Sequence, residues 1–141
     1  NEKRSLLLLK RVSDLLKGKI KNKKICFLGV TFKANTDDMR DSSSLSMIPS
    51  LVRKGAKVNY YDPTGEKNEF KKIKNVNFSK NIKSAIKDSD LVIIHTEWND
   101  FKTINFNKDV SNKKFILFDM RNIYSPVKMK DLKINYFGVG H

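Results

Sequence analysis

The sequence predicts an α/β domain: an open, mostly parallel sheet with helices on both faces. Three observations carry that prediction. Residues 25–28 (ICFL) form a short apolar run that stops at Gly29. Residues 45–54 then carry apolar side chains at helical spacing, and Gly55 and the run 56–61 follow at once. Strand, helix and strand joined by such short connections must pair in parallel. Finally, Leu91-Val92-Ile93-Ile94 is apolar on both alternating sets, as expected of a strand covered on both faces.

Taken in order, residues 1–17 read as a helix. Leu8, Val12 and Leu15 share one stripe, and Leu9, Val12 and Leu16 share a neighbouring one. Leu6 and Leu7 widen the apolar surface, which implies packing on something further. Gly18 stands where a helix stops. The first strand is placed at 23–29, and a polar loop follows it. The helix at 45–54 turns Leu45, Ile48, Leu51 and Val52 inward, with Ser42, Ser43 and Ser44 all positioned to cap it. Pro49 is tolerable there if it falls in or near the first turn. The second strand, 56–61, ends in Asp62-Pro63.

Residues 64–81, rich in Lys and Asn, read as loop with a little irregular structure. A short helix at 82–87 faces Ile82, Ala85 and Ile86 inward, and the third strand spans 90–96. Helical turns over 97–109 set Trp98, Phe101, Ile104 and Phe106 against the sheet edge. A fourth strand at 114–119, a turn at 122–125 and a last short element at 134–139 complete the chain.

At 141 residues the chain is expected to form one domain, short for a complete two-substrate enzyme. No apolar run approaches bilayer length, and the polar start shows no signal-peptide pattern. A single cysteine allows no internal disulfide, so the cytoplasm is the expected compartment, with no membrane partner. The net charge of +14 raises a basic nucleic-acid-binding α/β module as the alternative function. Its lysines are scattered, however, with no arginine stripe and no ladder of aromatic residues, so they read as solvated surface.

Ligands of such sheets sit beyond the carboxyl ends of the strands. Two of those ends carry cations, Lys33 and Arg121. A mobile ammonium and a planar guanidinium together suit a pyrophosphate. Asp37, Asp38 and Asp41 read as partners of Lys33 and Arg40 that shape the loop, in preference to an acid/base pair. A Rossmann-like nicotinamide site is disfavoured. The loop after the first strand has one glycine, with Phe32-Lys33 where small residues are needed, and Asp62 follows far later than the roughly 20 residues of the fingerprint. Cys26 reads as a core thiol and His95 as a satisfied structural histidine. Two histidines and one cysteine offer no metal-ligand spacing. No catalytic, cofactor-binding or metal residue is therefore assigned. His141 reads either as native or as the start of an expression tag.

The stretch GVTFKANTDDMRDSSS, followed by KGAKV and YDP, resembles the C-terminal, UDP-binding domain of the UDP-glucose/GDP-mannose dehydrogenases. The family pattern is roughly G-x-x-F-K-x-x-T-D-D-x-R-x-S-P, and later T-E-W and D-G-R-N segments match HTEW and DMRN here in the same order. The resemblance implies a substrate-binding part of an NAD-dependent enzyme of polysaccharide biosynthesis that oxidises a sugar C6 alcohol to a carboxylate in two steps. It implies that NAD and the catalytic cysteine belong to N-terminal and central domains outside this chain, leaving this fragment inactive alone. Residues 1–18 would be the end of an interdomain linker helix and 19–141 the nucleotide-sugar-binding domain. Phe32, Lys33 and Arg121 are the implied substrate contacts, and Asp37, Asp38 and Arg40 shape the loop. The implied partners are a UDP-sugar in preference to a GDP-sugar, the other domains of the same enzyme, and further copies of it in a homo-oligomer. Two positions depart from the pattern: Met120 replaces its glycine and Ser43 its proline.

Overall fold

The computed structural model describes residues 2–140; Asn1 and His141, including the question of a tag at His141, lie outside the described residues. Six strands form a single all-parallel sheet in the order β3-β2-β1-β4-β5-β6. They are β1 (Lys24–Leu28), β2 (Lys57–Tyr61), β3 (Val76–Phe78), β4 (Leu91–Ile94), β5 (Ile116–Asp119) and β6 (Asn135–Gly138). The five helices are α1 (Glu2–Leu15), α2 (Ser44–Arg53), α3 (Ile82–Ile86), α4 (Phe106–Asp109) and α5 (Pro126–Asp131).

Alternation along the strands divides the core in two. Ile25 and Phe27 of β1, with Val58, Tyr60, Leu91, Ile93 and Phe118, meet α1 and α2 through Leu8, Leu9, Val12, Met47, Ile48 and Leu51. Cys26 and Leu28 point the other way, onto Ala85, Ile86, Phe106 and Met129. The helix α1 is part of the first layer: Arg11 crosses it to donate to Gly138 O at 3.0 Å, its guanidinium 5.4 Å from the Phe118 ring centre. Leu6 and Leu7 remain 66% and 64% exposed, so the helix does carry apolar surface beyond what this face needs.

Four features depart from expectation. Residues 64–81 are not mere loop, for they hold a 3-10 turn (Asn68–Phe70) and the edge strand β3. Phe70 is buried, and Val76 and Phe78 pack on the first core. The six residues of α5 form a helix in addition to those expected from sequence, and Ser125 caps it by accepting Lys128 N–H. Pro49 lies in the second turn of α2, not its first. It leaves the Leu45 carbonyl without the N–H that normally arrives four residues later. The serines around the start of α2 also depart from the expected caps: Ser43 at the cap position has helical dihedrals (φ −64°, ψ −20°) and makes no side-chain cap bond, while Ser42 Oγ donates to Val30 O and accepts Ser44 N–H at 3.3 Å.

Candidate functional site

Strand order reverses between β1 and β4, the point at which open α/β sheets present a crevice. The two strand ends meet closely there. Gly29 adopts φ +78°, and a Cβ on it would lie 2.5 Å from Thr96 Cβ, so only glycine fits. The loop leaving Gly29 is fastened on several sides. Val30 N–H donates to Asp62 Oδ2 at 2.8 Å, and Val30 O accepts both Ser42 and Ser44 hydroxyls at 2.6 Å. Thr96 Oγ1 donates to Thr31 O at 3.0 Å. Phe32 N–H bonds to Asp38 O at 3.1 Å, closing a hairpin loop whose first residues are Phe32, 48% exposed, and Lys33, also exposed.

The far side of the crevice comes from β5. Asp119 is fully buried and accepts three bonds: Arg121 N–H at 3.2 Å, Tyr124 N–H at 3.0 Å and Tyr136 O–H at 2.8 Å. That knot turns the chain so that Arg121 reaches back over two strand ends. Its Nε donates to His95 O and its Nη2 to Phe32 O, both at 3.0 Å. One half-buried guanidinium thus ties the ends of β1, β4 and β5 together. Two of its five N–H groups are committed, leaving three for a ligand.

His95 lies beneath this contact, 1% exposed. Its Nε2 is 2.8 Å from Ser43 Oγ and its Nδ1 3.1 Å from Thr96 Oγ1. Burial, then the positive charges of Arg121 and Arg4, push its pKa down to about 3, against a smaller opposing pull from the Gly29 carbonyl. The ring is therefore neutral at ordinary pH. The first amides of α2 are spent locally: Ser44 N–H on Ser42 Oγ, Leu45 N–H on Ser42 O, and Ser46 and Met47 N–H on Ser43 O. An anion at this site must be met by side-chain cations rather than by that helix start.

A profile of the UDP-glucose/GDP-mannose dehydrogenase family, UDP binding domain, matches residues 26–126. The chain belongs to this family. It is 36% identical over 141 residues to the UDP-glucose 6-dehydrogenase of Rhizobium meliloti (strain 1021), covering 99% of this chain and 32% of that protein. The UDP-glucose 6-dehydrogenase of Rickettsia felis is 35% identical over 143 residues, with the same coverage. The chain thus spans about a third of the length of the curated relatives it matches. Among solved structures, a UDP-glucose dehydrogenase from Pyrobaculum islandicum superposes with a TM-score of 0.78 at 24% identity, over 99% of this chain and 30% of that one. That likeness is one of fold.

Within this UDP-binding domain, the residues singled out from sequence fall into two groups. Phe32 and Arg121 are in direct contact at the crevice, with Lys33 next along the hairpin. Asp38 and Arg40 form a separate forked pair on the hairpin's second limb, at 3.0 and 2.9 Å. The bonds from Arg40, side chain first and backbone second, hold the Asp38 carboxyl down at about 2. Lys33 and Asp38 interact only through their charges. Asp37 is exposed, and Asp41 acts on Arg40 at a distance. Met120 is buried in the first core, so the pattern's missing glycine is replaced by a packed side chain. Asp119 and Thr96 are not singled out from sequence, and Asp62 only as a poor counterpart of a ribose-binding acid, although each organises the crevice. A cavity of about 700 Å³ between α5 and β6, lined by Lys130, Lys133, Tyr136 and Phe137 among others, shares none of these residues.

Proposed function

We propose that this UDP-binding domain holds the diphosphate of a UDP-sugar in the crevice between β1, β4 and β5, as part of a nucleotide-sugar 6-dehydrogenase. The observation that carries the reading is the placement of Arg121, strapped across two loop carbonyls with three N–H groups unspent, beside the exposed Phe32-Lys33 pair. A guanidinium whose plane is already set loses little freedom on taking a phosphate oxygen, and the lysine supplies a mobile second charge. The surplus of positive charge across the chain draws an anionic substrate toward such a crevice.

The finer parts of the reading are these. UDP-sugars are preferred to GDP-sugars, residues 1–18 are the end of a linker helix, and residues 19–141 are the binding domain proper. The full-length enzyme is a cytoplasmic homo-oligomer, and this chain is inactive without its other domains. NAD, which supplies the oxidising power for the sugar alcohol, is held by those domains. The residues here do not fit it: Asp62, the counterpart of a ribose-binding acid, is 1% exposed and spends its carboxylate on Val30 N–H and on the Thr64 amide and hydroxyl. The loop after β1 offers a single glycine, itself filled against Thr96.

The test is calorimetric titration of UDP and GDP into the chain and into Lys33→Ala and Arg121→Ala. A charge-assisted hydrogen bond is worth about 1.5–3 kcal/mol, so each variant should weaken UDP binding by roughly tenfold or more. UDP binding that is unchanged in both variants, or absent from the parent chain at millimolar concentrations, would end the assignment.

A further inference from the structure

The two sides of the crevice are coupled through one buried residue. The His95 carbonyl takes Arg121 Nε, while its imidazole leads by way of Thr96 to the loop that carries Lys33. Counting protons fixes the direction of that path. The Thr96 hydroxyl has one hydrogen, and Thr31 O receives it at 3.0 Å. The 3.1 Å contact between Thr96 Oγ1 and His95 Nδ1 therefore needs the proton on Nδ1. A neutral ring then presents a bare Nε2, and the Ser43 hydroxyl donates to it at 2.8 Å. The donors run in one sense, Ser43 to His95 to Thr96 to Thr31. Thr31 Oγ1 continues the sequence by donating to Lys33 O at 2.9 Å.

We propose that His95 and Thr96, held in this order by Ser43, are positioning residues that set Arg121 and the Phe32-Lys33 pair at the separation a diphosphate requires. The proposal rests on the diphosphate reading above and adds to it the side chains that touch no ligand. The path is rigid for identifiable reasons. The imidazole is wedged against Phe27, with ring centres 5.8 Å apart, and Gly29 lies hard against the Thr96 side chain. The charged groups acting on the ring are Arg121 from the β5 end and Arg4 from α1. Both oppose a second ring proton and so preserve the single order of donors. Serine at position 43 has a use that proline in the family pattern lacks, since its hydroxyl supplies the first donor of the series.

The experiment is titration of UDP and of UMP into the parent chain, Thr96→Val, Thr96→Ser, Arg121→Ala and Lys33→Ala. Valine keeps the branched shape at position 96 and removes only the hydroxyl. It should lower UDP affinity about tenfold while moving UMP affinity much less, because the second phosphate is the group being positioned. Serine should restore UDP binding to within about twofold of the parent chain. Should Thr96→Val fail to fold, His95→Leu and His95→Asn replace it, asparagine keeping an N–H toward Thr96 and leucine none. Parent-like UDP binding in Thr96→Val alongside weakened Arg121→Ala would overturn the positioning role and leave the diphosphate reading intact. Parent-like binding in both Arg121→Ala and Lys33→Ala would remove that reading, and this role with it. Imidazole nitrogen NMR gives an independent readout: protonated Nδ1 and bare Nε2 are expected, and a proton on Nε2 would overturn the proposal.

Discussion

Replacing Gly29 with alanine tests whether the closeness of the β1 and β4 ends is a built requirement of the crevice. Two costs combine. The backbone at φ +78° is disfavoured for a residue with a Cβ by about 1–2 kcal/mol. The added carbon would lie 2.5 Å from Thr96 Cβ and 2.8 Å from Thr96 Oγ1, well inside the roughly 3.5–4.0 Å of a carbon contact, so the two strand ends must separate. Overpacking of this kind costs about 1–3 kcal/mol, giving a total of about 2–5 kcal/mol. For 141 residues, unfolding entropy near the midpoint is about 0.3 kcal/mol/K, so the melting temperature should fall by roughly 7–17 °C. Gly18 supplies the control: its φ is +75°, but a Cβ there meets nothing within 4 Å. Gly18→Ala should therefore show the conformational cost alone. The assay is urea and thermal unfolding of both variants by circular dichroism, with slopes against urea expected to stay unchanged. Equal destabilisation by the two substitutions would refute the argument, because the Thr96 contact would then contribute nothing.

Two further outcomes follow from burial. The His95 pKa lies at about 3 in the folded chain against 6.5 in an unfolded one. A lowered histidine pKa means that the unfolded state binds the extra proton first, so stability should decline as pH falls from about 6.5 toward 3, by up to about 1.4 kcal/mol per pH unit from this group. The urea midpoint of His95→Gln should show a shallower decline than that of the parent chain, and identical profiles would contradict the assignment. Cys26 is fully buried at the centre of β1, and burial pushes its thiol far up from its ordinary value. A thiol reagent at pH 8 should modify it only at the rate of unfolding, and fast modification of the folded chain would show that the strand is not covered as described.

The strands that could be read from sequence were those whose apolar runs exceed anything a loop carries, such as Leu91–Ile94 in β4, buried at all four positions. The edge strand β3 escaped because it is three residues long and only its half-buried Val76 and Phe78 report its alternation. A signal was nonetheless present. Phe70, Ile73, Val76 and Phe78 recur through the lysines, and all four pack on the same core. The helix α5 carried a plainer sign, Ser125 followed by Pro126, a cap residue before a proline at the first helical position. The three serines at the start of α2 mislead for a physical reason. Caps are inferred from local spacing, but a cap residue must also leave the helical backbone, and Ser43 at the cap position keeps helical dihedrals while its hydroxyl meets His95 Nε2.

The candidate site divides along the same line. The roles proposed for Lys33 and Arg121 are legible because they follow from position: each stands past the carboxyl end of a parallel strand, where open α/β sheets present their crevice. What holds them was not legible, because those partners are far apart in sequence. Arg121 bonds to Phe32 O across 89 positions, Thr96 to Thr31 O across 65, and Ser43 to His95 across 52. Nothing in the local chemistry of a serine or a threonine marks it for such a bond. Sheet order decides them, since β4 lies beside β1 only because the chain crosses back after β3. Asp119 makes the point most sharply. From sequence it is a strand-end acid like Asp62, yet its three acceptor bonds turn the chain and so aim Arg121. Which charges stand at the crevice is thus a property of strand ends, and how firmly Arg121 is aimed is a property of the topology.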